Sequence, residues 1–181
     1  MSENSEPKKV AAVVVGVDGS AGGAEALRWA VAEARLRKAP LRIVHAWTYG
    51  YTGMPGGFGG MSGFDSYVSL GIDVVDLQRA AEDLIERTTE EVAGGVEGIE
   101  VERQVVEGAA AQVLIGASVG ADLLVVGSRG HGGFVGLMIG SVSQQCVHHA
   151  PCPVVVVRSP KAIATDHELA HAVPTENAAA S

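Results

Sequence analysis

From residue 127 to residue 144 the chain reads Gly-Ser-Arg-Gly-His-Gly-Gly-Phe-Val-Gly-Leu-Met-Ile-Gly-Ser-Val-Ser-Gln. This composition suits gripping an anion with backbone alone. Gly127 and Gly130 permit positive φ, which turns successive N–H groups toward one concavity. Gly140-Ser141 then opens a helix, whose first N–H groups lack partners and carry roughly half a positive charge. An anion placed there is stabilised with no lysine required. Arg129 and His131 lie where they could swing toward phosphates. The segment contains neither GxxxxGK[ST] nor GxGxxG, so the P-loop and dinucleotide fingerprints both fail. Plainer roles exist for the same residues: Ser141-x-x-Gln144 is also a capping box contributing about 1 kcal/mol, and the glycines could be turn residues.

Other reactive residues carry less. His167-Glu168-Leu-Ala-His171 matches the HExxH zinc helix, in which two histidines at i and i+4 chelate the metal and the glutamate acts as base. Pro174 follows closely and no third ligand comes after, so the match reads as a decoy and no metal site is expected. His148-His149 belongs near a helix end, where imidazolium suits the dipole. Cys146 reads as a small buried residue. Cys146 and Cys152 form no CxxC, zinc spacing or disulfide framework, which suits a reducing cytosol. Trp29 and Trp47 read as packing residues rather than a binding cage.

The elements that must position these residues alternate in type. Val10–Val17 is a valine-rich run expected as a strand buried on both faces. After Asp18-Gly19-Ser20 comes a helix with Ala24, Leu27, Ala30, Val31 and Ala34 on one face. Arg35, Arg37 and Lys38 lie in its last turn and Pro40 is expected to end it. Leu41–Trp47 is the second strand. A second helix carries Leu77, Ala81, Leu84, Thr88 and Val92 and stops at Gly94-Gly95. Residues 99–106 alternate and read as a less buried strand near a sheet edge. Ala110, Val113, Leu114 and Ala117 mark a short third helix. Residues 122–127 form a fourth strand, 140–150 a fourth helix and 153–158 a fifth strand.

Buried valine strands alternating with helices imply an α/β fold: an open, Rossmann-like parallel sheet with helices on both faces and right-handed crossovers. Ligands bind such sheets beyond the strand C-termini, where the strand order reverses. The candidates are therefore the loops at Gly16–Ser20, at His45–Trp47 and from Gly127 onward.

The expected organisation is a disordered N-terminus (1–9), one domain (10–158) and a flexible polar tail (159–181). Residues 48–71 hold 8 of the 24 glycines and read as an insert, either a lid or a floppy surface loop. The formal charge is −8, from 13 Lys+Arg and 21 Asp+Glu, which argues against a surface that coats nucleic acid. Aromatic residues at 4% are too few for single-strand stacking platforms, whereas 47% hydrophobic residues suffice for a packed core. The apolar runs have strand length and fall far short of a membrane span. A cytoplasmic protein with no nucleic-acid or membrane partner is expected.

The spacing Gly127-x2-Gly130-x9-Gly140-Ser141 resembles the G-x2-G-x9-G-[S/T] motif of the ATP-binding universal stress proteins. Four further stretches resemble that family in the right order: 13–20 (VVVGVDGS), 43–47 (IVHAW), 121–127 (ADLLVVG) and 152–157 (CPVVVV). The resemblance covers residues 10–158 and implies five parallel strands in the order 3-2-1-4-5. It implies that Gly127 and Gly130 approach the ribose and phosphates, with Ser128, Arg129, His131, Gly132 and Gly133 lining the same loop. Gly140, Ser141, Val142 and Ser143 would donate to the phosphates. Asp18, beside Val17, would sit by the ribose or a phosphate-held Mg²⁺. The Ala46 backbone would meet the adenine edge, and Gly16 would let backbone approach the nucleotide. The last strand, Val154–Val157, resembles the element that pairs antiparallel across the family's homodimer interface.

The implied ligand is ATP, with Mg²⁺ held mainly by the phosphates, and the implied role is stress-response regulation. Phosphoryl transfer needs a positioned base and charge neutralisation. The loops supply Asp18 and His131 but no lysine and no second carboxylate, so no catalytic residue is assigned. A slow ATPase and a nucleotide-free interaction module remain the alternatives. Asp18-Gly-Ser20-Ala-Gly-Gly also lacks the S-G-G-x-D-S-type loop expected of related adenine-hydrolase enzymes.

Overall fold

The computed structural model describes residues 11–48, 74–92, 95–130 and 139–160. In chain order the elements are β1 (Val13–Gly16), α1 (Ala21–Arg37), β2 (Leu41–Trp47), α2 (Val74–Glu91), β3 (Val101–Glu107), α3 (Ala110–Ala117), β4 (Leu123–Gly127), α4 (Ser141–His149) and β5 (Val154–Val157). The strands form one sheet in the order β3-β2-β1-β4-β5, every neighbouring pair parallel. This is the expected order.

Alternation along β1 divides the core into two layers, because successive strand side chains point to opposite faces. Val13 and Val15 join Leu27, Ala30 and Ile85 from α1 and α2 on one face. Val14 joins Leu114 and Cys146 from α3 and α4 on the other. The chain winds outward from β1 through β2 to β3, then crosses back to β4 on the far side of β1. Right-handed connections in opposite directions put their helices on opposite faces. The tips of β1 and β4 therefore diverge into a cleft at the reversal.

Several local expectations change. β1 covers only part of the run 10–17, and Val10 lies outside the described residues. Lys38, not Pro40, ends α1: it adopts a left-handed conformation (φ 53°), and Ala39 N–H then donates to Ala34 O at 2.9 Å, closing the last turn. In α2 the deepest side chain is Ile85, 1% exposed, which stands beside the expected face of Leu77, Ala81, Leu84, Thr88 and Val92. Trp29 is exposed on α1 rather than packed inside. β3 and β5 are the sheet edges, as expected for the former from its alternating charges. Nearly all of the N-terminal segment, the glycine-rich insert, His131 to Gly133, the tail and the 167–171 HExxH match lie outside the described residues.

Candidate functional site

The cleft begins with a turn built by two short polar side chains. Gly16 closes β1, and Val17 N–H still donates to Val44 O at 3.0 Å, carrying the ladder one residue further. Asp18 Oδ1 then accepts from Ser20 N at 3.0 Å and from Ser20 Oγ at 2.5 Å, across Gly19 in a left-handed conformation (φ 77°). Ser20 is the N-cap of α1, its Oγ accepting from Gly23 N at 3.1 Å. One carboxylate oxygen thus fixes the strand-to-helix turn. The other, Oδ2, lies against Gly130, where a Cβ would collide with it.

The opposite wall is the end of β4 and the start of α4. Neither Gly127 nor Gly130 is among the positive-φ glycines of the described residues, so the expectation of left-handed glycines there is overturned. Space is the reason for glycine at both positions. A Cβ at 127 would stand 2.8 Å from the carbonyl carbon and oxygen of Gly22, and one at Gly22 would strike Arg129 O. A Cβ at Gly23 would stand 2.8 Å from Asp18 Oδ1. Gly22 and Gly127 let the first turn of α1 touch the end of β4 backbone to backbone, while Gly23 and Gly130 leave room for the two carboxylate oxygens of Asp18. Gly22 and Gly23 were missed in the sequence; a Gly-Gly pair in the first turn of a helix, where alanine is favoured by about 1 kcal/mol per residue, was the available signal.

The capping-box expectation is also overturned. Gly140 is the N-cap (φ −75°, ψ 163°), Ser141 is the first helical residue, and no side chain caps the helix. Gly140 N–H donates to Ser128 O at 2.7 Å and Gly140 O accepts from Gln144 N at 2.9 Å. The N–H groups of Ser141, Val142 and Ser143 are the orphans of the first turn. Ser143 is buried and its Oγ donates to Gly127 O at 2.7 Å, so this hydroxyl ties the helix start to β4. Ser128 is buried too, its N–H donating to Val157 O at 2.7 Å, and it does not line the cleft.

Between the walls lies a cavity of about 310 Å³. Gly16, Val17, Asp18, Ala46, Gly127, Arg129, Gly130, Gly140, Ser141, Val142 and Ser143 line it, all of them residues singled out in the sequence. The sequence did not reveal the rest: Gly23, Val44, Ala110, Leu114 and Val126. Four of these form an apolar end, supplied by the strand floor and by the first turn of α3. Ala110 and Leu114 stand four residues apart and so share a helix face. The other end is polar backbone at the β4 loop and α4. His45 does not line the cavity; its Nδ1 meets Val17 O at 2.8 Å and braces β2 against the β1 turn. Among the described residues no group of three or more His, Cys, Asp or Glu could hold a metal.

The two cysteines lie away from this chemistry. Burial pushes the Cys146 thiol from 9.0 up to about 11, and burial also raises Cys152, against a hydrogen bond from Ser118 that favours its thiolate. Neither is an activated nucleophile. His148 and His149 occupy the last turn of α4, as expected.

A model of the family described as "Universal stress protein family" matches residues 10–158. The chain belongs to the universal stress protein family. A universal stress protein of Mycolicibacterium smegmatis is 31% identical over 158 residues, covering 87% of this chain and 51% of the relative. One from Mycobacterium tuberculosis is 36% identical over 151 residues, covering 82% and 45% respectively. The chain therefore spans about half the length of the curated universal stress proteins it matches. The solved universal stress protein UspA of Lactobacillus plantarum superposes with a TM-score of 0.65 at 22% identity, covering 84% of this chain and 100% of that one, which supports the shared fold. A second solved universal stress protein, crystallised in complex with cAMP, gives 25% identity and a TM-score of 0.51, covering 84% and 99%. No helix among the described residues is long and apolar enough to cross a membrane.

Proposed function

We propose that this universal stress protein binds an adenine nucleotide, ATP foremost, in the cleft between the β1 and β4 tips, and acts as a regulator switched by that nucleotide. One observation carries the proposal. A single cavity joins an apolar end (Val44, Ala110, Leu114, Val126) to a polar end made of glycine backbone and the uncapped start of α4. A purine fits the first by burial of its faces, and the Ala46 backbone can meet its edge. A chain of phosphates fits the second, where N–H groups and the helix dipole favour negative charge. The relative that binds cAMP supports an adenine ligand.

Each residue contributes in a distinct way. Gly127 and Gly130 admit the ribose and phosphates by close approach, and Ser141, Val142 and Ser143 offer N–H groups. Ser141 adds an exposed hydroxyl at the first helical position. Arg129 supplies positive charge, and His131, Gly132 and Gly133, which lie outside the described residues, keep only the role the family motif gives them. Among the described residues Asp18 is the one carboxylate lining the cavity, so Mg²⁺ would be held mainly by the phosphates. Among the described residues neither a lysine nor a second carboxylate lines the cavity, which fits holding ATP better than turning it over. Free Cys146 and Cys152 suit a cytosolic setting. A homodimer would form by antiparallel pairing of β5, an edge strand of four half-buried valines.

Isothermal titration with ATP, ADP and cAMP, with and without Mg²⁺, tests the proposal. Saturable binding weakened at least about tenfold by Ser141→Ala or Gly130→Ala is expected; a tenfold loss corresponds to about 1.4 kcal/mol. No saturable binding up to millimolar nucleotide would sink it. A turnover assay separates the roles, since many ATP hydrolysed per protein per minute would indicate an enzyme instead.

A further inference from the structure

The cavity lining contains one close contact that no phosphate motif includes. Gly16, the last residue of β1, faces Leu114 on α3. A Cβ at position 16 would lie 2.8 Å from Leu114 Cδ1, 2.9 Å from Cδ2 and 3.4 Å from Cγ. Ordinary carbon–carbon contact begins at about 3.5 Å, so Leu114 sits over Gly16 as closely as a glycine allows. Both residues line the cavity. Leu114 is 5% exposed and packs with Val14, Val44 and Leu124 in the core layer behind it. At about 310 Å³ the cavity lies at the small end of ligand pockets, which span about 300–1,000 Å³.

We propose that Leu114, seated on Gly16, is the specificity-determining residue for the base: it sets the size of the apolar end so that an unsubstituted purine enters and a base enlarged on the edge facing α3 is excluded. The proposal rests on the nucleotide reading given above and adds to it the residue pair that limits the ligand. Its mechanism is steric. Shortening Leu114 opens room beside Gly16 without touching the phosphate end. Adding a methyl at position 16 does the reverse, overlapping the leucine methyls by about 0.7 Å and crowding the space the two residues share with the cavity. The two changes should therefore offset each other when combined, since the new Cβ occupies the space the leucine vacates.

Calorimetric titration of the full chain with ATP, N6-benzyl-ATP and 2-methylthio-ATP tests this directly. Wild-type protein should bind ATP at least about tenfold more tightly than either substituted analogue. Leu114→Ala should narrow the ratio between ATP and one analogue at least tenfold, whatever it does to the affinity for ATP itself. Gly16→Ala should weaken ATP at least tenfold, and Gly16→Ala with Leu114→Ala should restore most of that loss. Leu114→Val, a smaller core change, serves if Leu114→Ala unfolds, and should give the same order with a smaller recovery. Wild-type binding of all three ligands with equal affinity would overturn the gate and leave the nucleotide site standing. So would unchanged discrimination in both Leu114 variants, or additive losses in the double variant. No saturable ATP binding by wild-type protein would overturn the nucleotide site itself, and the gate with it.

Discussion

Gly127→Ala is the sharpest test of why the cleft has its shape. The added Cβ would stand 2.8 Å from both the carbonyl carbon and the oxygen of Gly22, about 0.7 Å inside ordinary contact. The obstacle is backbone in the first turn of α1, so it cannot rotate aside as a side chain can. Relief requires β4 and α1 to separate, and overpacking of this kind destabilises by about 1–3 kcal/mol. For a chain of this length that lowers Tm by about 2–12 °C. Gly140→Ala is the matched control. Its Cβ would lie 3.4 Å from Ser128 O and 3.8 Å from Arg129 Cα, close to ordinary contact, and Gly140 holds no positive φ. Its stability cost should stay below about 1 kcal/mol, the scale of an N-cap change. Urea unfolding of both variants, with ATP titration alongside, reads the difference. Gly127→Ala should lose both stability and at least tenfold in affinity, and Gly140→Ala should lose little stability. Equal stability losses, or none in Gly127→Ala, would refute the close-approach explanation.

Other variants probe the supports around the cleft. Ser20→Ala removes the cap on Gly23 N–H and should cost about 0.5–2 kcal/mol in urea unfolding, whereas Ser141→Ala, at an exposed uncapped position, should stay within about 0.5 kcal/mol. Ser143→Ala strands the Gly127 carbonyl that its hydroxyl serves and should cost about 1–3 kcal/mol by the same measurement. The Cys146 thiol, raised from 9.0 to about 11, stays protonated in the folded state where the unfolded chain would ionise. Stability is therefore full below pH 9 and falls through pH 11, by up to about 3 kcal/mol. Unfolding curves at pH 8, 9.5 and 11 should show a shallower fall for Cys146→Ala; an identical slope in both proteins refutes the assignment.

The sequence by itself determined the layers and the place to look. Valine runs flanked by amphipathic stretches permit only a buried parallel sheet, and the glycine spacing from 127 to 141 marks the loop after β4. Eleven cavity residues were legible because they sit at strand ends or in that motif. What the glycines are for was not legible, because a glycine chosen for positive φ and one chosen for close approach look alike in a sequence. Only the packing of α1 on β4 shows that Gly127 answers to Gly22. The same holds for Gly140 and Ser141: residue type favoured serine as the cap, but Gly140, held to Ser128 O through its N–H, is the cap, and the helix starts one residue earlier than a serine cap requires. Leu114 and Ala110 belong to an element separated from the motif by the whole of β4. No local pattern could assign them to the cavity, since their presence there depends on how α3 crosses the sheet on its way back from β3.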